Sequence, residues 1–336
     1  MTYTVQKKFS QIKPLIGNTP ILKFTYSYKG KIRNIYVKAE QYNLTGSIKD
    51  RVAFHILKNA YENGLISPGD IIAEATSGNT GISFSALGSF LGHKVKIFMP
   101  DWMSKERVNL MRSFGAEVIS VSREQGGFKG SITMCEDLAK SGGVFLPRQF
   151  SNEENTHAHF IYTGEEIASQ LASIGLIAES FIAGVGTGGT VMGTGLKLRE
   201  INPKCTIHPL EPMNSPTLST GFKVGSHRIQ GISDDFIPPI LHMDKTDSVV
   251  SVDDGDSIVM ARMISEFFGI GVGISSGANF IGACMVQNLL GDERIVVTVF
   301  PDDNKKYLST DYSEPQTIRG DSIISDIKLL DMTAYK

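Results

Sequence analysis

Cysteine, excess charge of either sign and long apolar runs are all scarce in this sequence. Cys135, Cys205 and Cys284 are its only three thiols. An odd, unclustered set supports neither a disulfide framework nor a thiolate metal site, so each is expected as a small buried apolar residue. No apolar run reaches the ~20 residues that a bilayer span requires. Met1 to Lys8 is polar and lacks the apolar centre of a signal peptide, so a cytoplasmic location is the expectation. Lys and Arg number 33 against 35 Asp and Glu, a formal net charge of −2. That balance gives no electrostatic reason to expect nucleic acid or an anionic membrane as partner. A small neutral or anionic metabolite is the default. What is present is ordinary globular material, 41% hydrophobic and 20% charged over 336 residues, enough for two domains or one large open sheet.

Short β-branched runs alternate with longer stretches of helical periodicity. Ile35 to Ala39, Ile71 to Ala75, Val95 to Met99, Val118 to Val121, Val144 to Leu146, Phe181 to Val185 and Ile295 to Phe300 read as strands. Lys49 to Asn63, Ile82 to Leu91, Lys105 to Phe114, Gly127 to Lys140, Thr163 to Leu171, Met192 to Ile201 and Ser257 to Phe268 read as helices. Gly92, Gly115 and Gly269 stand where left-handed glycines end three of them. The class is α/β, with two three-layer units of mostly parallel sheet covered on both faces. A smaller unit is expected over 35–152 and a larger one over 13–34 and 153–310, joined near Gln149 to Asn155. A tail, 311–336, has no chemistry of its own.

Three segments carry chemistry when taken together. Lys49, in Asn43-Leu44-Thr45-Gly46-Ser47-Ile48-Lys49-Asp50-Arg51, begins a helix behind Ser47, a plausible N-cap. Alone it would be an ordinary surface lysine. Thr76-Ser77-Gly78-Asn79-Thr80-Gly81 follows a strand and opens a helix, where an open α/β sheet binds its ligands. Its amides and hydroxyls suit a carboxylate without an arginine; a polar capped turn is the plainer alternative. Gly186-Thr187-Gly188-Gly189-Thr190 also links a strand to a helix and suits a phosphate, with the helix dipole behind it. It lacks the Walker lysine and the G-x-G-x-x-G spacing. An amine, a carboxylate loop and a phosphate cradle together describe a site for pyridoxal 5′-phosphate (PLP) and an amino acid. Lys49 would form the Schiff base and later act as the base at Cα.

With these motifs in order, the chain resembles the cysteine synthase and cystathionine β-synthase family of fold-type-II PLP enzymes. The likeness runs from Leu15-Ile16-Gly17-Asn18-Thr19-Pro20 to Lys306-Tyr307-Leu308-Ser309-Thr310. It includes Met103-Ser104-Lys105-Glu106-Arg107, Gln149-Phe150, Ile229-Gln230-Gly231-Ile232 and Gly273-Ile274-Ser275-Ser276-Gly277-Ala278. The resemblance implies that Gly186, Thr187, Gly188, Gly189 and Thr190 hold the phosphate, with Asn79 and Gln149 beside the phenolic oxygen. Thr76, Ser77, Gly78, Thr80, Gln149 and Gly231 would hold the substrate. It also implies a homodimer and β-replacement or β-elimination on a 3-substituted L-alanine through an α-aminoacrylate.

Two departures stand out. Cysteine synthases commonly read Ile-Gly-Ala-Gly-Phe where this chain reads Ile232-Ser233-Asp234-Asp235-Phe236. Asp234 is a candidate general base for water, which would turn L-cysteine into L-serine and hydrogen sulfide; a solvated or turn-capping aspartate is the alternative. Asp303 stands where the family usually has serine, and is expected either at the pyridine nitrogen or turned toward Lys305 and Lys306. Ordinary cysteine synthesis from O-acetylserine, lanthionine formation from two cysteines and a non-catalytic sensing relative are the competing readings. His157 and His159 are two residues apart and do not share a helical face, so no metal is expected.

Overall fold

The alternation of strand and helix resolves into two separate sheets. The computed structural model describes residues 1–232 and 236–336. In chain order its strands are β1 (Ile21–Tyr28), β2 (Lys31–Ala39), β3 (Ile71–Ala75), β4 (Lys94–Pro100), β5 (Glu117–Val121), β6 (Val144–Phe145), β7 (Ser180–Gly184), β8 (Thr206–Pro212), β9 (Val250–Val252), β10 (Val296–Phe300) and β11 (Ile327–Tyr335). The helices are α1 (Tyr3–Ile12), α2 (Lys49–Glu62), α3 (Asn79–Leu91), α4 (Lys105–Ser113), α5 (Gly127–Ala139), α6 (Glu154–Ala158), α7 (Glu165–Ser173), α8 (Gly189–Ile201), α9 (Thr217–Thr220), α10 (Asp254–Phe268) and α11 (Ile274–Leu290).

The smaller sheet runs β5-β4-β3-β6 and is parallel throughout. The larger runs β11-β1-β2-β10-β7-β8-β9, parallel from β2 through β9 and antiparallel at the β1 edge. The β1–β2 hairpin turns on Lys29 and Gly30, with φ of 49° and 81°, the paired left-handed geometry that matches strand twist. Separate apolar clusters cover the two faces of the large sheet. One, with Ile258, Phe280 and Phe300, lies toward α10 and α11; the other, with Ile167, Val191 and Phe181, lies toward α7 and α8. A third cluster fills the small sheet and takes in Val5, Phe9 and Ile12 of α1.

Strand pairing moves two expected boundaries. Ile35 to Ala39 belongs to β2, which pairs with β1 on one side and β10 on the other, so it lies in the larger sheet rather than the smaller unit. Residues 311–336, expected as a tail, pack onto the larger sheet. Their last strand pairs with β1 from Ile21↔Tyr335 to Tyr28↔Ile327, burying Ile327 and Leu329. Gly92, Gly115 and Gly269 have the left-handed φ expected of them, 97°, 84° and 68°. The three cysteines are free and buried, and burial lifts the Cys205 and Cys284 thiols to about 12. Among the described residues no helix is long and apolar enough to cross a membrane.

Candidate active site

The turns that follow β3 and β7 and the start of α2 converge on one cavity. Its walls are Ile48 and Lys49, the run Thr76 to Thr80, Gly186, Thr187, Gly188 and Thr190, together with Arg107, Gln149, Phe150, Gln230, Gly231 and Ser275. It lies beside a wider cleft of about 860 Å³ bordered by Trp102, Arg123 and Arg228.

Lys49 is the first residue of α2, and the residues around it fix its position. The Ile48 N–H donates to the Pro301 carbonyl at 2.8 Å, tying the loop to the end of β10. Ser47 is one residue too early to be the N-cap, but its hydroxyl accepts the Lys49 N–H at 3.3 Å. Asp50 is fully buried; its carboxylate accepts the Thr45 N–H and hydroxyl at 2.7 and 2.6 Å and the Ser83 hydroxyl at 2.7 Å. Burial raises its pKa against those bonds. Arg51 is the stronger anchor. Its guanidinium meets Glu40 at 2.6 Å and both oxygens of Glu166 at 2.7 Å, and Glu166 also pairs with Lys38 at 2.9 Å. Burial alone would raise Glu166, but Arg51 and then Lys38 outweigh it and hold the carboxyl near 2. One buried ionic cluster thus clamps the lysine helix to β2 and α7.

The Thr76–Thr80 turn is held from within. The Thr76 hydroxyl accepts the Gly78 N–H at 3.1 Å, and the Thr80 hydroxyl donates to Gln149 Oε1 at 2.6 Å. Gln149 Nε2 donates to the Ala75 carbonyl at 3.0 Å, so this side chain props the turn while also lining the cavity. Asn79 Nδ2 donates to Asp302 at 2.8 Å, leaving its amide oxygen buried without a partner.

Across the cavity, Asn155 donates to the Thr187 hydroxyl at 2.9 Å and to the Gln149 carbonyl at 2.8 Å, joining the two turns. Thr190 bonds His159 Nε2 at 3.2 Å, and His159 Nδ1 bonds Thr163 at 3.0 Å. Burial, then the charges of Lys49 and Arg51, push His159 well below the ordinary range, so it is a neutral prop beneath the turn. His157 lies elsewhere, beside Glu154 and His55. Glycine is required at two places in the turn. Gly188 has φ of +87°, and a Cβ at Gly186 would stand 2.5 Å from the Gly231 carbonyl oxygen. Gly189 backs onto Asn155 and does not line the cavity.

These residues fit PLP. The cap residue of α8, Gly188, offers no side chain, and although the Gly189 N–H donates to the Thr187 hydroxyl at 3.3 Å, the helix dipole there suits an anion. The glycines leave space that a Cβ would fill, Lys49 opens into the same cavity, and the orphaned Asn79 oxygen marks room for another polar group.

Asp303 is not in that cavity. Its carboxylate caps the 304–306 turn through the Lys305 N–H at 3.2 Å and lies 3.7 and 3.9 Å from the Lys305 and Lys306 amines. Attraction to two cations and a cap wins over the ring-nitrogen orientation. Ser275, at the start of α11, lines the cavity instead, and with Arg107 and Gln230 it was missed as a site residue. All three lie inside segments that carry the family likeness, which was their only signal. Asp234 lies outside the described residues.

Fold and cavity together define a PLP-dependent enzyme of the α/β class. The pyridoxal-phosphate dependent enzyme family matches residues 12–302, and the chain belongs to it. It is 40% identical over 298 residues to the "Probable cysteine synthase" of Bacillus subtilis strain 168, covering 88% of this chain and 95% of that one. It is 39% identical over 305 residues to the cysteine synthase of Staphylococcus aureus strain Mu50, covering 91% and 97%. Among solved structures, a hydrogen sulfide-producing enzyme from Fusobacterium nucleatum is 56% identical, with a TM-score of 0.95 over 98% of this chain and 99% of that one. The chain is an enzyme of the cysteine synthase type, using PLP for β-replacement on a 3-substituted alanine.

Proposed function

We propose that the substrate is L-cysteine and that water replaces its thiol, giving L-serine and hydrogen sulfide. The 56% identity to a hydrogen sulfide-producing enzyme over nearly the whole of both chains carries this reading. Asp234, in place of the small or aromatic residue common in cysteine synthases, adds to it.

Bound PLP supplies an aldehyde for the substrate amine and a ring that accepts the electrons released at Cα. Lys49 holds the cofactor, takes the Cα proton once displaced, and returns it at the end. Thr76, Ser77, Gly78 and Thr80 orient the substrate carboxylate, with Gln149 bracing their turn and Gly231 closing the far side. Gly186, Thr187, Gly188 and Thr190 take the phosphate, and Gly189 seats their helix. Asn79 stands beside the ring. Asp234 accepts a proton from water as the C–O bond forms at Cβ, and that proton balances the departing sulfide. A homodimer belongs to the same proposal, tested by light scattering.

A second reading, sulfide consumption with O-acetylserine, is favoured by the two cysteine synthase relatives. Incubating holoenzyme with L-cysteine alone, then measuring sulfide and derivatised amino acids, decides between them. Equal sulfide and serine is expected, with at least tenfold slower turnover in Asp234→Asn. Sulfide with lanthionine, sulfide with pyruvate, or no sulfide at all would each reject the proposal.

A further inference from the structure

Arg107 is a buried cation whose partners are all neutral. It sits on α4 at 2% exposure and lines the same cavity as Lys49. Its Nη1 donates to the Ser104 hydroxyl at 3.2 Å and to Gln230 Oε1 at short range. The guanidinium carbon lies 4.6 Å from the centre of the Tyr307 ring, and Nε has no hydrogen-bond partner. Among the described residues no carboxylate comes within 4.0 Å of it. Its neighbour Glu106 is turned to Ser309 at 2.7 Å, and Asp302 stands behind the tyrosine, accepting the Tyr307 hydroxyl at 2.7 Å.

A buried guanidinium without an anion is costly, so such groups are normally paired. The turn that opens α3 packs directly against this guanidinium. Gly78 lies so close that an added Cβ would stand 2.5 Å from Arg107 Nε and 2.6 Å from Cδ. Gly78 is the middle of the turn that faces the substrate carboxylate, and its missing side chain lets the guanidinium press against that turn. Gln230, the acceptor on the other side, precedes Gly231 in the loop that closes the cavity from the larger sheet.

We infer that Arg107 is a specificity-determining residue that selects substrates bearing an α-carboxylate. Its charge, set against the Gly78 turn, is balanced when a carboxylate occupies Thr76 to Thr80, and its bond to Gln230 draws the Gln230–Gly231 loop toward that carboxylate. The inference rests on the 3-substituted alanine class and on the proposed role of Thr76 to Thr80 as the carboxylate turn. It stands whether the enzyme releases sulfide or consumes it.

The test uses two ligands that differ only in the carboxylate, L-serine and ethanolamine, titrated calorimetrically into holoenzyme. In Arg107→Met, serine affinity is expected to fall 10- to 100-fold while ethanolamine affinity changes less than threefold. Arg107→Lys keeps the charge but loses the stacked, forked geometry over Tyr307, so its serine-to-ethanolamine ratio is expected between those of wild type and Arg107→Met. Equal weakening of both ligands in Arg107→Met would mark a merely structural arginine and overturn the inference, as would unchanged serine affinity. Should the methionine variant fail to fold, Arg107→Gln is titrated in its place, and an unchanged serine-to-ethanolamine ratio there overturns the inference.

Discussion

Glu74 offers a quantitative test of how burial is handled beside the site. It lies on β3 two residues before Thr76, 5% exposed, against a mostly apolar cavity of about 250 Å³ that Cys135, Phe150 and Phe236 also border. Its Oε2 has no hydrogen-bond partner. Burial raises the carboxyl from 4.5 to about 8, opposed by the backbone amides of Gln149, Ala75 and Arg148. The folded state therefore keeps a proton that the unfolded chain has released. The stability linked to this group is fully present below 4.5, fades as pH rises between 4.5 and 8, and is gone above about 8. Displacement of the carboxyl from 4.5 to about 8 sets an upper bound of about 5 kcal/mol on that stability. Glu74→Gln keeps the size and removes the titration. Urea unfolding of both holoenzymes from pH 5 to 9 should show the wild type losing up to about 1.4 kcal/mol per pH unit relative to the variant, then levelling off. A difference between the two proteins that does not vary with pH would refute the reasoning.

Two further outcomes follow from the clamp and the cradle. Arg51→Met leaves Glu40 buried without its cation and Glu166 with Lys38 as its remaining cation, and should cost about 3–5 kcal/mol, read as a lowered urea midpoint, with Glu40→Gln in the same chain recovering part of it. Gly188→Ala combines a positive φ with a Cβ 2.9 Å from the Leu241 side chain, so PLP content after dialysis, followed by visible absorbance, should fall at least tenfold.

Much of the fold was legible because its central strands are β-branched runs bounded by glycine turns, as in Ile71 to Ala75 and Ile295 to Phe300. Three of the elements that escaped notice have compositions that disguise them. β8 carries Pro209 and Pro212; α11 opens on Ser275-Ser276-Gly277 and is buried nearly all round, so it shows no polar face to mark a helical period. β11 is an edge strand whose inward residues dwindle to Ile327 and Leu329, which made it look like a tail. At the site, Lys49 and the two turns could be read because backbone geometry ties glycine and hydroxyl residues to strand–helix junctions. Arg107 and Ser275 could not, since tertiary packing alone brings them to the cavity. Asp303 had two readings open to it, and the structure takes the one in which a carboxylate followed by two lysines turns toward them.

The path of the chain has a consequence for how this enzyme can be taken apart. α1 belongs to the smaller body, β1 and β2 to the larger, α2 through β6 to the smaller again, and β7 through β11 return to the larger. No single cut divides such a weave into two self-sufficient pieces. Recombination with a relative, or expression of either half by itself, would therefore strand apolar surface from both bodies, and the whole would have to be inherited and engineered as one unit.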